Sequence, residues 1–237
     1  WETLEGLAKH NGPVADPAWA LAEADSEFPL DLATWPGLEA QLAAIADDIA
    51  YDNHDIDDGL RAGLFSLGEV LEVPLVGERW RAVSDRFPGV DEDRLVPELV
   101  RDLIGLMVND VLSETRRRVV EAGVETVDDV RRAGRSLSGF SSGLREEERA
   151  LKAFLHRRMY DAAPVQAVRG RAQQVLAGLF AAYRADPGRL PEPWRPASED
   201  RVAMLRAIGD FVAGMTDRYA IRRYEELVGP ADLPEGF

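Results

Sequence analysis

The chain of 237 residues is acidic, with 43 Asp and Glu against 28 Lys and Arg and a formal net charge of −15. Its hydrophobic content of 46% is enough for the core of one large domain or two small ones. It has no cysteine, which excludes disulfides and thiolate metal sites. The lack of cysteine suits a reducing cytosol, no apolar run approaches membrane-spanning length and no signal peptide is visible, so we expect a cytoplasmic protein.

Apolar residues recur at helical spacing along nearly the whole chain, and strand alternation is absent, so we predict an all-α fold. A long central helix is expected to begin at Pro36 and to bend or break at Gly59 or Gly63, and Asp91 is the expected N-cap of a second long helix. The other predicted helices span residues 3–10, 76–86, 94–122, 126–134, 145–160, 165–183 and 198–227. Loops are expected at 11–29, 136–143 and 186–196, and an irregular tail at 229–237.

The central helix carries six aspartates in residues 47–58, with no Lys or Arg before Arg61. Like charges three or four residues apart each cost roughly 0.2 to 0.5 kcal/mol on a helix, so such a run needs a reason. Binding of a divalent metal is the usual one, because hard cations prefer carboxylate oxygens. Asp47, Tyr51 and Asp55 follow at i, i+4 and i+8, which predicts one stripe about 12 Å long.

The segment 46–63, Ala-Asp-Asp-Ile-Ala-Tyr-x-x-His-Asp-Ile-Asp-Asp-Gly-Leu-Arg-Ala-Gly, resembles the late metal-ligand helix of the deoxyguanosinetriphosphate triphosphohydrolase (dGTPase) family of HD-domain phosphohydrolases. Two further segments, residues 1–13 and Gly-Met-Thr-Asp-Arg-Tyr-Ala at 214–220, agree with that family in sequence and in order. The resemblance implies a multi-helical HD-type bundle. It also implies that Asp47 is a metal ligand, that Tyr51 contacts the phosphates or sugar of a substrate, and that Asp55 contacts the sugar hydroxyl.

The same resemblance assigns roles to two basic residues. Lys9 lies in the Leu-Ala-Lys-His-Asn-Gly-Pro segment, where the family places a lysine that meets the triphosphate. Arg218 lies in the Met-Thr-Asp-Arg-Tyr-Ala segment, and its planar guanidinium would match phosphate oxygens. The alternatives are a solubilising lysine and an arginine paired with Asp217 or a neighbouring helix.

His54 and Asp55 form an adjacent His-Asp pair, the pattern that ligates metal in the HD superfamily. Helical neighbours point about 100° apart, which does not decide the matter by itself. The family dyad lies well upstream in a His-Asp-Leu-Gly-His context that this sequence lacks. The resemblance therefore favours His54 as a substrate-side group or a support behind the metal ligands, with the pair as an alternative ligand dyad. His156, in a basic helix, is interpreted as structural.

The resemblance implies hydrolysis of dGTP, or of deoxynucleoside triphosphates in general, to a deoxynucleoside and tripolyphosphate. A divalent metal (Mg²⁺, Mn²⁺ or another first-row transition metal) would polarise the α-phosphate and lower the pKa of the attacking water. The sequence departs from the family in lacking the first ligand His, the His-Asp dyad and the catalytic histidine that follows. We therefore interpret it as the C-terminal part of a longer protein, about 1–120 completing the HD core and about 121–237 forming a helical C-terminal region. This part alone is expected to be inactive.

Two other interpretations stay open: another HD-type nucleotide phosphohydrolase, and a non-catalytic helical regulatory or assembly module. Residues 115–184 contain 14 basic and 8 acidic residues, a net charge of +6. Such a segment could bind an effector nucleotide or single-stranded DNA. Its arginines could instead pair with the acidic half, within the chain or across an oligomer interface. The family also leads us to expect a homo-oligomer, and the lack of a long apolar run leads us to expect no membrane partner.

Overall fold

The computed structural model describes residues 1–195 and 200–231. These residues form eleven α-helices and no strand, so the all-α prediction is confirmed. In chain order the helices are α1 (Glu2–Lys9), α2 (Trp19–Glu27), α3 (Leu38–Arg61), α4 (Leu67–Val70), α5 (Pro74–Arg86), α6 (Glu92–Ala122), α7 (Val127–Arg132), α8 (Ser142–Leu155), α9 (Ala163–Ala185), α10 (Arg201–Ala213) and α11 (Asp217–Leu227). None of the described helices is long and apolar enough to cross a membrane.

The chain divides into two compact units, Trp1–Met159 and Tyr160–Phe237. The first unit has a core built by α3, α5, α6 and α8, in which Ile56, Val76, Leu103 and Leu151 are fully buried. The predicted division near residue 120 concerned the limits of the HD core, and it stays a prediction.

The second unit has its own apolar core, formed by α9, α10 and α11. Leu179 and Tyr183 of α9 and Ile208 of α10 are fully buried there. The Tyr183 ring packs edge-on against Phe211 at a centroid distance of 5.4 Å. Each unit therefore buries an apolar cluster of its own.

The ends of the long helices follow from local sequence. Gly63 follows the end of α3 with a φ of 65°, and Gly123 caps α6 with a φ of 62°. Both conformations lie in the left-handed region that glycine adopts without strain, which explains why these helices end there. Thr126 and Asp129 form a capping box that starts α7.

Three expectations about the elements were wrong. The predicted loop 11–29 contains α2, a helix hidden by the prolines that flank it. The short α4 was missed, although Ser66 and Glu69 form a capping box at its start. The predicted helix 198–227 is two helices, because α10 ends at Gly214 and α11 starts after Thr216. Residues 198–199, and the predicted tail beyond Ala231, lie outside the described residues.

Candidate functional site

Asp47, Tyr51 and His54 form an exposed row on α3. A helix turns 100° per residue, so Tyr51 lies about 40° and His54 about 20° from Asp47 around the helix axis. All three side chains are exposed, and Tyr51 is 61% exposed. No hydrogen bond or ion pair involves them within the described residues. We call these three residues the exposed row.

Asp48, Asp52 and Asp55 form a second side of α3, which we call the acidic side. The same helical geometry places them about 80° to 140° from Asp47. Asp52 and Asp55 are buried, with 4% and 8% exposure. Asp55 therefore lies with Asp48 and Asp52 rather than in the exposed row, and the stripe predicted for Asp47, Tyr51 and Asp55 is divided between two sides of the helix.

The third side of α3 faces the core of the first unit. Ile49, Asn53 and Ile56 lie about 180° to 240° from Asp47 and are buried. The Asn53 amide donates to the Ile49 carbonyl and contacts the Met107 sulfur of α6 at 3.2 Å. This packing fixes the rotation of α3, and it therefore fixes the direction in which the exposed row points.

A groove of about 890 Å³ lies beside Asp47, between α1 and α3. Small side chains of α3, including Ala40, Ala43 and Ala44, form one wall, and α1 forms the other. His10, at the end of α1, also lines the groove; its Nδ1 lies 2.9 Å from the Leu7 carbonyl oxygen. The groove gives Asp47 an open space large enough for a small ligand.

Lys9 is fully buried, and it does not line this groove. Its ammonium forms an ion pair with Glu5 at 2.8 Å and donates to the Thr34 hydroxyl at 2.9 Å and the Asp31 carbonyl at 3.1 Å. Arg131 donates two hydrogen bonds of 2.9 Å to the same Glu5 carboxylate. Burial raises the pKa of Glu5, but the hydrogen bonds from Arg131 and Lys9 outweigh it and the pKa is lowered. The three side chains thus form a buried ionic cluster that ties α1 to α7.

Arg218 lies in the first turn of α11, in the second unit, and is exposed. The exposed row belongs to the first unit. The role of Arg218 in binding phosphate therefore stays a prediction.

The described residues fit a partial metal site. Within residues 1–195 and 200–231, no group of three or more His, Asp or Glu side chains could hold a metal ion. Asp47 nevertheless offers an exposed carboxylate at the edge of a groove, the donor that a hard divalent cation prefers. His54 and Asp55 do not share a side of α3, since one is exposed and the other buried. The described residues can therefore offer one ligand from α3 but not a complete coordination sphere.

Several arginines of the basic segment pair with groups of the first unit. Arg117 and Arg118 both bind the Glu114 carboxylate, at 2.8 Å. Arg118 also donates to the carbonyl oxygens of Ser138 and Phe140. This arrangement favours the interpretation that these arginines pair with acidic groups of the chain. It leaves open an effector site elsewhere in residues 115–184.

Comparison with known proteins gives a family model and a set of curated relatives. The model of a phosphohydrolase-associated domain matches residues 138–226, which include α8 to α10 and most of α11. A deoxyguanosinetriphosphate triphosphohydrolase-like protein of Parvibaculum lavamentivorans is 46% identical over 236 residues, covering 96% of this chain and 60% of that protein. Proteins with the same description from Caulobacter sp. and Brucella melitensis are each 44% identical over 96% of this chain and 59% of their own length. The predicted resemblance to proteins of this description is confirmed.

This chain is related to the deoxyguanosinetriphosphate triphosphohydrolase-like proteins over nearly its whole length, and it spans about 60% of the length of the relatives it matches. The phosphohydrolase-associated segment begins just before α8, which packs against α3. Through α8, the matched segment therefore contacts the helix that carries the exposed row.

The sequence analysis did not identify Lys152, a charged group at the contact between α3 and α8. Lys152 of α8 forms ion pairs with Glu148 at 2.6 Å and with Asp48 of α3 at 3.2 Å. Asp52 is buried beside them, and its Oδ2 atom has no hydrogen-bond partner. Lys9 and Lys152 are the only two lysines of the sequence, and each forms an ion pair with a glutamate four residues earlier. That shared spacing was the signal available in the sequence.

Proposed function

We propose that this chain contributes the exposed row of α3 to a metal-dependent hydrolase that converts deoxynucleoside triphosphates, dGTP among them, to deoxynucleoside and tripolyphosphate. The observation that carries the proposal is the row itself. A carboxylate, a phenol and an imidazole, all exposed and without partners among the described residues, stand on one side of a helix next to an open groove. The relationship to triphosphohydrolase-like proteins supplies the reaction class.

Each residue of the row has a role that suits its chemistry. Asp47 binds the cation through its carboxylate, together with ligands that the described residues do not supply. When bound, a divalent cation supplies Lewis-acid activation of the α-phosphate and of the attacking water. Tyr51 lies one helical turn further along, and its hydroxyl donates a hydrogen bond to a phosphate or sugar oxygen of the substrate. The His54 imidazole extends the same contact surface.

Two of the other predicted substrate contacts require a rearrangement of the structure. Asp55 would have to be reached from the acidic side of α3, where it is 8% exposed. Lys9 would have to exchange three internal partners for a phosphate. Arg218 is exposed and needs no such change to bind an anion. We therefore place Asp47, Tyr51 and His54 at the centre of the proposal and the other three residues outside it.

The test uses the product of the complete reading frame that contains this chain. Asp47→Asn should keep the helical fold while losing both bound metal and release of tripolyphosphate, because a neutral amide is a weaker ligand and no core volume is removed. Asp57→Asn is the matched control: it makes the same substitution on the same helix, at a residue that pairs with Arg61 at 2.9 Å. Normal metal content in Asp47→Asn would contradict the assignment.

Two further variants separate the roles along the helix. Tyr51→Phe should keep the metal and lower kcat/KM, since only a hydroxyl is lost. Asp55→Asn should also keep the metal, and metal loss in that variant would revive His54 and Asp55 as the ligand dyad.

The products distinguish the competing functions. Tripolyphosphate identifies the triphosphohydrolase reaction, whereas orthophosphate or pyrophosphate identifies another HD-type phosphohydrolase. Absence of both metal and hydrolysis would favour the non-catalytic regulatory or assembly module. Residues 1–237 expressed alone should release no tripolyphosphate with Mn²⁺ and any deoxynucleoside triphosphate. Activity of that polypeptide would show that it holds a complete site.

A further inference from the structure

Charged side chains gather at the contact between α3 and α8, where Asp52 and Glu148 are buried and Asp48 and Lys152 remain partly exposed. Lys152 is the one ammonium at this contact, with its Nζ 2.6 Å from Glu148 Oε1 and 3.2 Å from Asp48 Oδ1. Asp52 is 4% exposed, and its Oδ2 has no hydrogen-bond partner. A buried carboxylate oxygen without a hydrogen-bond donor is destabilising, so burial favours the neutral, protonated form of Asp52.

The charges around Asp52 come from both packed helices. Asp48 and Asp55 face it from α3 itself, and Glu148 and Lys152 face it from α8. On the other side of α3, α6 contributes the neutral Met107, which contacts Asn53. When Asp48, Asp52 and Glu148 are all ionised, these three carboxylates therefore share the Lys152 ammonium.

The pKa of Asp52 reflects its burial and this excess of carboxylates over ammonium groups. Burial raises the pKa of Asp52 to about 7; Lys152 opposes the rise, and Glu148, Asp48 and Asp55 add to it. Burial also lowers the pKa of Lys152, but its hydrogen bond with Glu148 and its attraction to Asp52 outweigh burial, so the ammonium stays charged. Among these groups, Asp52 is therefore the one whose charge changes near neutral pH.

We propose that Asp52 and Lys152 form a pH-sensitive latch between α3 and α8. The latch is closed when Asp52 carries a proton, and it weakens when ionised Asp52 competes with Asp48 and Glu148 for the single ammonium. Since the exposed row lies on α3, the latch also positions that row, a consequence that rests on the proposed function. Asp52 is thereby a positioning residue, and it touches neither metal nor substrate.

The direction of the pH dependence follows from comparing folded and unfolded chains. The pKa of Asp52 is higher in the folded state than its ordinary value near 3.8. Between about pH 4 and pH 7 the folded state therefore binds more protons, and stability falls as the pH rises through this range. The destabilising effect is absent below about pH 4 and fully developed above about pH 7.

Hydrogen exchange of the α3 amides, corrected for intrinsic exchange rates, measures the opening of this contact in residues 1–237. Between pH 5.5 and pH 8 the opening equilibrium constant should rise on the order of tenfold more in the unsubstituted chain than in Asp52→Asn. Lys152→Met should increase opening more at pH 8 than at pH 5.5, and Asp52→Asn combined with Lys152→Met should recover most of that loss. Asp57→Asn is the control for an aspartate of the same helix outside the latch.

An equal pH dependence in the unsubstituted chain and in Asp52→Asn would overturn the proposal. So would an effect of Lys152→Met that is the same at both pH values and unchanged by Asp52→Asn. If Lys152→Met does not fold, the comparison of the unsubstituted chain with Asp52→Asn still decides. The measurement needs neither metal nor nucleotide, so its failure is distinguishable from failure of the proposed function.

Discussion

Replacing Lys9 by Met should destabilise the first unit by about 3 kcal/mol. Breaking a buried ion pair costs about 3 to 5 kcal/mol when the remaining charge is left alone. Here Glu5 keeps two hydrogen bonds of 2.9 Å from Arg131, which places the expected loss at the lower end of that range. The Asp31 carbonyl and the Thr34 hydroxyl also lose their bonds to the ammonium. Met retains most of the side-chain volume, so a cavity contributes little.

Urea denaturation of residues 1–237, followed by circular dichroism, gives the change in the free energy of unfolding. The matched control is Arg61→Met, which breaks an ion pair of the same i, i+4 spacing in which the arginine is 72% exposed. That control should change the free energy of unfolding by no more than about 0.5 kcal/mol. A loss below about 1 kcal/mol for Lys9→Met, or one equal to that of Arg61→Met, would refute the reasoning.

The free-energy cost of breaking the internal contacts of Lys9 also limits its affinity for a substrate phosphate. An ammonium that already has three acceptors must give them up before it can reach a phosphate. If that exchange costs about 3 kcal/mol, it lowers the affinity gained from the new contact by about a hundredfold. A triphosphate contact from Lys9 therefore requires a rearrangement of α1, whereas a contact from Tyr51 requires none.

Two predictions concern stability elsewhere in the first unit. Gly59→Ala should lower the free energy of unfolding by about 1 to 2 kcal/mol, because a Cβ would lie 2.2 Å from the buried Phe65 ring and overpacking outweighs the gain in helix propensity. Gly105→Ala in α6, where nothing lies within 4 Å of a Cβ, should instead raise the free energy of unfolding in the same urea assay. Glu114→Gln should flatten the loss of stability on acidification, since hydrogen bonds from Arg117 and Arg118 lower the pKa of Glu114 to about 2. That stabilisation is complete above about pH 4.5 and is lost as the pH falls toward 2, which urea denaturation across this range measures; an unchanged acid slope would contradict it.

The helical class could be predicted because periodicity reports burial directly. In α6, Leu95, Leu99, Leu103 and Met107 follow at intervals of four residues, and all four are buried on one side. Boundaries were harder where local signals conflicted. Gly214 ends α10 while its neighbours continue an apolar pattern, and the pattern alone suggested one uninterrupted helix. Glycine is tolerated within a helical pattern, so its presence does not by itself mark an end.

The candidate site was predictable only in part, because a sequence motif does not state which side of a helix is covered. Asp47 and Tyr51 are exposed beside each other, and their predicted roles stay predictions. Asp48 pairs with Lys152 of α8, Lys9 donates to Thr34, and Glu5 pairs with Arg131, and the partners in each of these contacts are far apart in the chain. Such contacts between distant segments leave no periodic signal. The assignments carried by the family resemblance therefore remain predictions even where the helix itself was placed correctly.

The aspartates of α3 lie in different environments, and each environment corresponds to a different position around the helix axis. Asp47 stands in the exposed row, Asp48 and Asp52 face Lys152, and Asp57 pairs with Arg61 within the helix. A single metal ion would explain only the first of these. The position of each aspartate around the helix therefore predicts the kind of defect its substitution causes. A change in the exposed row should alter metal or substrate binding at constant stability, and a change on the acidic side should alter the pH dependence of stability at constant metal content. An Asp52→Asn variant that lost metal while keeping its pH profile would break this division, because it would connect two sides of α3 that point about 140° apart.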